Sequence, residues 1–330
     1  MKIKAGYMIQ KIKEFWFLIA LVLIFIAVIL DKSDTLAKIG VFFKDNYASE
    51  AIIFLIFIIS GLLIDKNQIK AGIKDIKSTL LTLMVILIVS PAAALLLHCL
   101  PLETGVAIGL FLVAVMPTTL SSGVVMTGTA GGNTAHALFL TIISNFTAVF
   151  SIPFILSWLL LFLEQSRELA IDQGAIILKL SVLVLLPLTV GIFTKPLVFK
   201  IINHDKSRLQ VINQCMVIGM VFISLAGAKE VISGRGLSIL YTVALVIVFH
   251  LILLGSAFLF VKFFSIKKGS CETIIFMGSQ KTLPLSIMIQ VSYFSEYGIA
   301  LLVCVMHHIV HLMIDGYLSA RMGKNRLAIN

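Results

Sequence analysis

The chain is 330 residues long, 59% apolar and 13% charged, with 26 lysines and arginines against 16 acidic residues. A soluble domain carries about twice that charged fraction, so water-soluble classes are excluded. The basic excess sits in short segments between apolar runs, which speaks for membrane topology and against nucleic-acid binding.

Apolar runs of about 20 residues mark bilayer spans. They recur at 15–30, 48–64, 79–98, 104–130, 134–162, 174–194, 211–232, 238–264, 271–292 and 297–320, which predicts ten spans. The first run is too long for a signal peptide, and Asp31-Lys32-Ser33-Asp34 stands where a small-residue cleavage site would be, so it reads as span 1. Cys99, Cys215, Cys271 and Cys304 form no CxxC pair and read as small apolar fillers.

Alternating the segments places eighteen basic residues on one side, in the N-terminal segment, around Lys66–Lys77, Lys195–Arg208 and Lys262–Lys268, and in the C-terminal segment. Six lie opposite (Lys32, Lys38, Lys44, Arg167, Lys229, Arg235), while Lys179 and Lys281 fall inside spans. This bias predicts a cell (inner) membrane protein with both termini in the cytoplasm.

Five spans per half make the halves 1–163 and 164–330 enter the bilayer from opposite sides, the topology of an inverted repeat. Span 4 is interrupted by Met-Pro-Thr-Thr-Leu-Ser-Ser-Gly at 116–123 and span 9 by Gly-Ser-Gln-Lys-Thr-Leu-Pro at 278–284. The halves' first spans begin at 15 and 174, and the same offset carries Pro117 to position 276, beside the second interruption. Pro117 and Pro284 remove backbone donors and free carbonyls, which persist in hydrocarbon only where protein, water or ligand satisfies them. Paired broken helices point to a midplane binding site. Thr118, Thr119, Ser121, Ser122, Gly123, Ser279, Gln280, Lys281 and Thr282 are its candidate residues, joined from span 5 by Thr141 and Asn145, one turn apart. The same residues also read as proline kinks with hydroxyls bonded back to their own helices.

Lys281 lies about mid-depth in span 9, too deep to snorkel easily, whereas Lys179, nearer an end of span 6, reads as snorkelling. In span 10, His307, His311 and Asp315 share one face and His308 is adjacent, a candidate proton relay. Metal binding there and packed, hydrogen-bonded histidines stay open as readings; His136 and His250 read as structural. Ser144 and Thr147 read as interhelical glue. Asn133, after the turn glycines Gly131 and Gly132, predicts the cap of span 5. No nucleotide loop, catalytic triad or zinc signature is present, so the chain is expected to be neither an enzyme nor an ATP-driven pump.

The stretches 116–133, Leu-Pro-Leu-Thr-Val-Gly-Ile-Phe-Thr-Lys-Pro at 186–196, 278–287 and 307–321 resemble the bile acid:sodium symporter superfamily, and most closely its bacterial branch related to the seventh member of human solute carrier family ten. The resemblance implies ten helices in two inverted five-helix repeats. It implies a core domain of spans 3–5 and 8–10, with spans 4 and 9 crossing at their unwound centres, and a panel domain of spans 1, 2, 6 and 7. Alternating access would move the core against the panel around a small solute.

In sodium-coupled relatives one ion is held by a Ser-Asn pair in the span-4 break, a Ser and a Thr on span 5 and a Glu on span 9; a second uses that Glu, a span-9 Gln and a span-3 Gln. The matching residues here are Ser122 and Gly123, Ala137 and Thr141, Phe276 and Gln280, with no glutamine in span 3. The relatives' Asn after the span-9 Gln is replaced by Lys281. Sodium, metals and other cofactors are therefore not expected, since an ammonium beside the old sites repels a cation. The expected function is secondary transport of an organic anion or similar small solute, not coupled to sodium. Lys281 is expected to bond the freed carbonyls and the span-4 hydroxyls. Two alternatives on the same fold stay open, a non-transporting regulator of membrane or calcium homeostasis and a sodium-coupled, bile-acid-like symporter, and a third is an intramembrane enzyme or metal binder using the span-10 histidines. The sequence leaves the oligomeric state open.

Overall fold

The computed structural model describes the chain except residues 1, 65–72, 120, 165–168, 170, 202–205, 233–235 and 328–330. The counted Lys66, Lys70, Arg167 and Arg235 lie outside the described residues, as do the side chains of Lys2, Lys4, Lys11, Lys13 and Arg326.

The described residues are helical and form no strand. In chain order the helices are α1 (Lys2–Leu30), α2 (Thr35–Asp45), α3 (Ala48–Leu63), α4 (Ile76–His98), α5 (Thr104–Val115), α6 (Ser122–Thr129) and α7 (Thr134–Leu160). They continue as α8 (Gln173–Lys200), α9 (Lys206–Ile232), α10 (Gly236–Phe263), α11 (Ser270–Ser279), α12 (Leu283–Tyr293) and α13 (Gly298–Leu327). Their outer faces are unusually apolar: Leu23, Leu30, Phe193, Leu240, Leu259 and Phe263 are all exposed. A soluble protein rarely shows so much apolar surface, and in a bilayer it is the ordinary lipid-facing side. The chain is an integral, multi-pass membrane protein.

Six of the described helices, α4, α7, α8, α9, α10 and α13, are long and apolar enough to cross a bilayer by themselves, with a seventh if α1 and α2 are taken as one bent span. The count falls below ten for local reasons. Helix α3 has 16 residues. The run at 104–130 is split into α5 and α6, and the run at 271–292 into α11 and α12.

Two packing groups surround these breaks. Helices α2, α3, α8 and α9 pack against one another, with α1 on α9; α4 to α7 and α10 to α13 form the second group. Small residues let backbones approach, as membrane helix pairs require. A Cβ on Gly61 would stand 2.2 Å from the Leu188 carbonyl, and one on Gly191 would stand 2.1 Å from that of Ile58.

Two helices contain a π turn followed by proline: Val85–Val89 before Pro91 in α4, and Ser181–Leu185 before Pro187 in α8. In the first, the Ser90 N–H bonds the Val85 carbonyl. The next bond in that register would run from residue 91 to Ile86, but proline has no N–H. The Ile86 carbonyl is thereby left for another donor.

Candidate functional site

The site is built from what the broken helices leave unpaired. Helix α5 ends at Val115, Met116 is extended, and α6 begins at Ser122; α11 ends at Ser279, Gln280 is extended, and α12 begins at Leu283 with Pro284 in its first turn. The two breaks touch. The Thr282 N–H donates to the Pro117 carbonyl at 2.9 Å.

Lys281 enters this junction with its side chain buried. It donates to the carbonyls of Met116 (3.0 Å), Ala114 (3.1 Å) and Ile86 (3.3 Å). An ammonium has three donors and no acceptor, so its capacity is matched by three carbonyls. Two of them terminate α5, where the helix dipole places partial negative charge. The third is the carbonyl freed by Pro91. Ser90 adds a hydroxyl to the Ala114 carbonyl at 2.7 Å. The span-4 hydroxyls, expected as partners of Lys281, go elsewhere.

They go to Gln280. Its Oε1 accepts from Thr119 Oγ1 (2.8 Å) and Ser122 Oγ (3.0 Å), and its Nε2 donates to Asp315 Oδ2 (2.9 Å) and contacts the Met126 sulfur. Asp315 Oδ1 lies 3.0 Å from His250 Nε2, with both side chains fully buried. His311 Nε2 and His308 Nδ1 are 2.9 Å apart, and the His307 ring lies 5.4 Å from that of His311 and 5.7 Å from that of His250. The four histidines are thus gathered around α10 and α13, yet among the described residues no three His, Cys, Asp or Glu side chains are placed to hold a metal ion.

Other candidate residues turn inward on their own helices. Ser279 bonds the Ile275 carbonyl and Asn145 that of Thr141; Thr141 bonds the Ala137 carbonyl but also reaches the Thr119 carbonyl in the span-4 break at 3.4 Å. Ser144 and Thr147, expected between helices, also bond their own helix, at Thr141 and Ile143. Thr118 is fully buried, and among the described residues its hydroxyl has no partner. Asn133 caps α7 by accepting from the His136 N–H. Lys179 donates to Ser292 Oγ at 2.6 Å and lies 3.9 Å from Glu50, so it joins α8, α12 and α3 rather than reaching freely outward.

A crevice runs between the two packing groups. Its widest part, about 300 Å³, is lined by Trp16, Phe17, Ser121, Ser122, Ser207, Gln210 and Gln214, among others. It narrows toward Thr119, Thr282, Pro284, Asn213 and His308. A smaller adjoining cavity meets Ser60, Ser121, Thr141, Asn145 and Asn213. Ser121 lines all three. Among the described residues the Oδ1 atoms of Asn145 and Asn213 are buried without a partner, acceptor capacity that a solute or water could use. Lys281 does not line the crevice; Thr282, its neighbour, does.

Sequence reasoning missed five participants. Pro91 and the Ile86 carbonyl depend on a π turn that no residue pattern announces. His250 was assigned to packing, but it is the partner of Asp315. Asn213 and Gln214 sit in the amide-rich run Gln210–Gln214 of span 7, a visible signal in an otherwise apolar segment.

The positions that the resemblance matches to a sodium site carry Ser122, Gly123, Phe276 and Gln280. A Cβ on Gly123 would stand 2.8 Å from Met277 Sδ and 3.0 Å from Thr119 Oγ1, so a side chain there requires the Met277 tail and the Thr119 hydroxyl to move. Phe276 is fully buried among Leu81, Val85, Ile274 and Ile275. Ser122 and Gln280 are bonded to each other, and the Lys281 charge lies alongside.

Apolar helices broken at a polar junction, beside a crevice lined by hydroxyls and amides, define a membrane transporter rather than an enzyme. The sequence profile of the SBF-like CPA transporter family matches residues 15–324, and the chain belongs to that family, within the bile acid:sodium symporter superfamily. Similar proteins include the Arabidopsis thaliana probable sodium/metabolite cotransporter BASS4, chloroplastic, 29% identical over 80% of this chain and 63% of the relative. The chain thus spans about 63% of that protein's length. The Xenopus laevis sodium/bile acid cotransporter 7-B is 25% identical over 88% of this chain and 85% of its own, and its counterpart 7-A is 24% identical over 85% and 82%.

Proposed function

We propose that this protein is a secondary transporter of a small organic solute, an organic anion in our reading, which works by alternating access without sodium. The observation that carries it is the Lys281 ammonium held by three backbone carbonyls at the junction of the two helix breaks. Unwound carbonyls in a membrane need a cation or donor. Here the tethered Lys281 amine supplies those donors, so a mobile sodium ion would find these carbonyls already engaged, and the Asp315 carboxylate is held by Gln280 and His250.

The proposed architecture is ten spans in two inverted repeats, residues 1–163 and 164–330, with both termini cytoplasmic. The core is α4 to α7 and α10 to α13, and the panel is α1 to α3 with α8 and α9. Matched breaks in α5/α6 and α11/α12 support the repeat. The two packing groups support the core and panel.

Alternating access is supported by an asymmetry between the two ends of the crevice. It widens toward the end where α9 begins, near Lys206 and Arg208. Toward the other end, Lys179 of the panel holds Ser292 of the core. This reads as a conformation open to the cytoplasm and latched outside. An open crevice that carries hydroxyl and amide groups in an otherwise apolar lining also favours transport over the non-transporting regulator, for which a dry, filled junction is expected.

An anionic solute is favoured by the N-termini of α6 and α12, whose first residues Ser121, Ser122, Thr282 and Leu283 line the crevice. Helix N-termini present backbone N–H groups and partial positive charge. The test is a thermal-shift screen of organic acids and their neutral analogues on the purified chain, followed by uptake of a stabilising compound into proteoliposomes in choline medium. Stabilisation by acids and uptake in choline are expected. Stabilisation by neutral compounds alone removes the anion reading, and uptake that requires sodium removes the proposal.

A further inference from the structure

Helix α2 was not expected from the sequence, which places only a connection between spans 1 and 2. It turns 111° away from α1. Given that α1 crosses the bilayer, α2 lies close to the membrane plane. The bend is built into residues 31–34. Asp31 accepts from the Ser33 hydroxyl and from the Leu36 N–H at 2.8 Å, and Asp34 adopts positive φ (55°).

Three surfaces run along this helix. Leu36, Ala37 and Gly40 face α9, where a Cβ on Gly40 would stand 2.2 Å from that of Ala226. Helical spacing then separates the remaining positions. Ile39, Phe42 and Phe43 fall on one edge, with exposures of 42%, 64% and 44%. Lys38 and Asp45 fall on the other, also exposed, with Val41 (40% exposed) between Asp45 and the face toward α9. An apolar edge beside a charged edge on a helix lying flat is the form of an interfacial membrane helix. The apolar edge also continues a surface already facing lipid: Ile19, Leu23, Ile26 and Leu30 of α1 are exposed at helical spacing and lead to the bend.

We infer that α2 is an interfacial helix seated in the phospholipid leaflet where α1 ends, with Ile39, Phe42 and Phe43 at the acyl–glycerol boundary and Lys38 among the phosphates. Lys229 locks this helix to α9, because its buried ammonium bonds the Asp31 carbonyl and the Asp34 carboxylate. On the transport reading above, on which this last role rests, α2 holds the panel at fixed depth while the core moves.

The test is nitroxide depth measurement on the full chain in phosphatidylethanolamine/phosphatidylglycerol nanodiscs. The label is attached singly at Ile39→Cys, Phe42→Cys, Phe43→Cys, Lys38→Cys and Asp45→Cys after the four native cysteines are replaced, each variant having first been shown to melt like its parent. Labels at 39, 42 and 43 are expected to collide preferentially with oxygen, and those at 38 and 45 with a water-soluble nickel chelate, in both cases by several-fold. Five water-like labels would place α2 outside the membrane and overturn the inference. Five lipid-like labels would make it a re-entrant segment, with the same consequence. Depth is read without any solute, so a failed uptake assay leaves this result standing, and a failed depth pattern leaves the transport reading standing.

Discussion

The ammonium of Lys281 donates a 3.0 Å hydrogen bond to the carbonyl of Met116, the first residue beyond the helix α5, and so ties two helix breaks 165 positions apart in the chain. With Ala114 and Ile86 the bond completes a three-carbonyl cradle. Lys281→Met removes every donor and strands carbonyls away from water. A loss of about 3 kcal/mol follows from the cost of unsatisfied buried polar groups, read as a lower unfolding midpoint with membrane insertion retained. An unchanged midpoint contradicts the cradle.

Pro91 contributes at a distance by withholding an N–H from the Ile86 carbonyl. Pro91→Ala restores a competing donor. In a double-mutant cycle with Lys281→Met the two changes are expected to couple by about 0.5–2 kcal/mol. Strict additivity would mean that the π turn and the lysine are independent.

Gln280 links the α6 side of the junction to α13 through Thr119, Ser122 and Asp315. Gln280→Leu keeps the volume and removes four polar contacts. It is expected to cost about 2 kcal/mol and to make Asp315→Asn less costly than in the parent. Equal effects of Asp315→Asn in the two backgrounds would break the link.

Gly123→Asn restores the residue that sodium-coupled relatives carry. Here its Cβ meets Met277 and Thr119, so about 1–3 kcal/mol of overpacking cost is expected and no sodium response. A variant that gains sodium-dependent stability would show that the ion site is dormant, not dismantled.

Asp75 provides a pH signature outside the spans. It caps α4 through Ser78 and accepts from the Ser270 hydroxyl at the start of α11. Burial pushes its carboxyl up, but the hydroxyl of Ser270 and the side chain and N–H of Ser78 outweigh this and hold it below the ordinary value. A lowered folded-state value means that the stabilisation is complete above the ordinary carboxylate value of about 3.9 and is lost as pH falls through the lower one. The midpoint difference between wild type and Asp75→Asn is therefore expected to hold from pH 7 to about 5 and to shrink below 4.

Much of this was legible in the residues, and the rest failed for identifiable reasons. Pro117, Pro284 and their flanking hydroxyls mark the breaks because a missing N–H ends a helix in any environment. Phe276 and Gly123 stand where the resemblance implies ion ligands, a departure that residue chemistry without the resemblance does not reveal. Helix α2 was hidden because eleven residues carrying Lys38, Lys44 and Asp45 fall short of a span signal. The role of Ile86 was hidden because a π turn is set by tertiary packing, not by the local run Val85–Val89. His250 reads as structural from the sequence, but an isolated histidine in an apolar span does not reveal that Asp315 lies opposite. The partners of Lys281 were half foreseen: freed carbonyls follow from broken helices, but Gln280 captured the hydroxyls.

The most direct test of the tethered-cation account is the unfolding midpoint of the purified chain across a sodium chloride series, matched at constant ionic strength by choline chloride. The account predicts one midpoint at every ratio of the two cations. A saturable rise specific to sodium would show that a mobile ion still occupies the junction, contrary to the account.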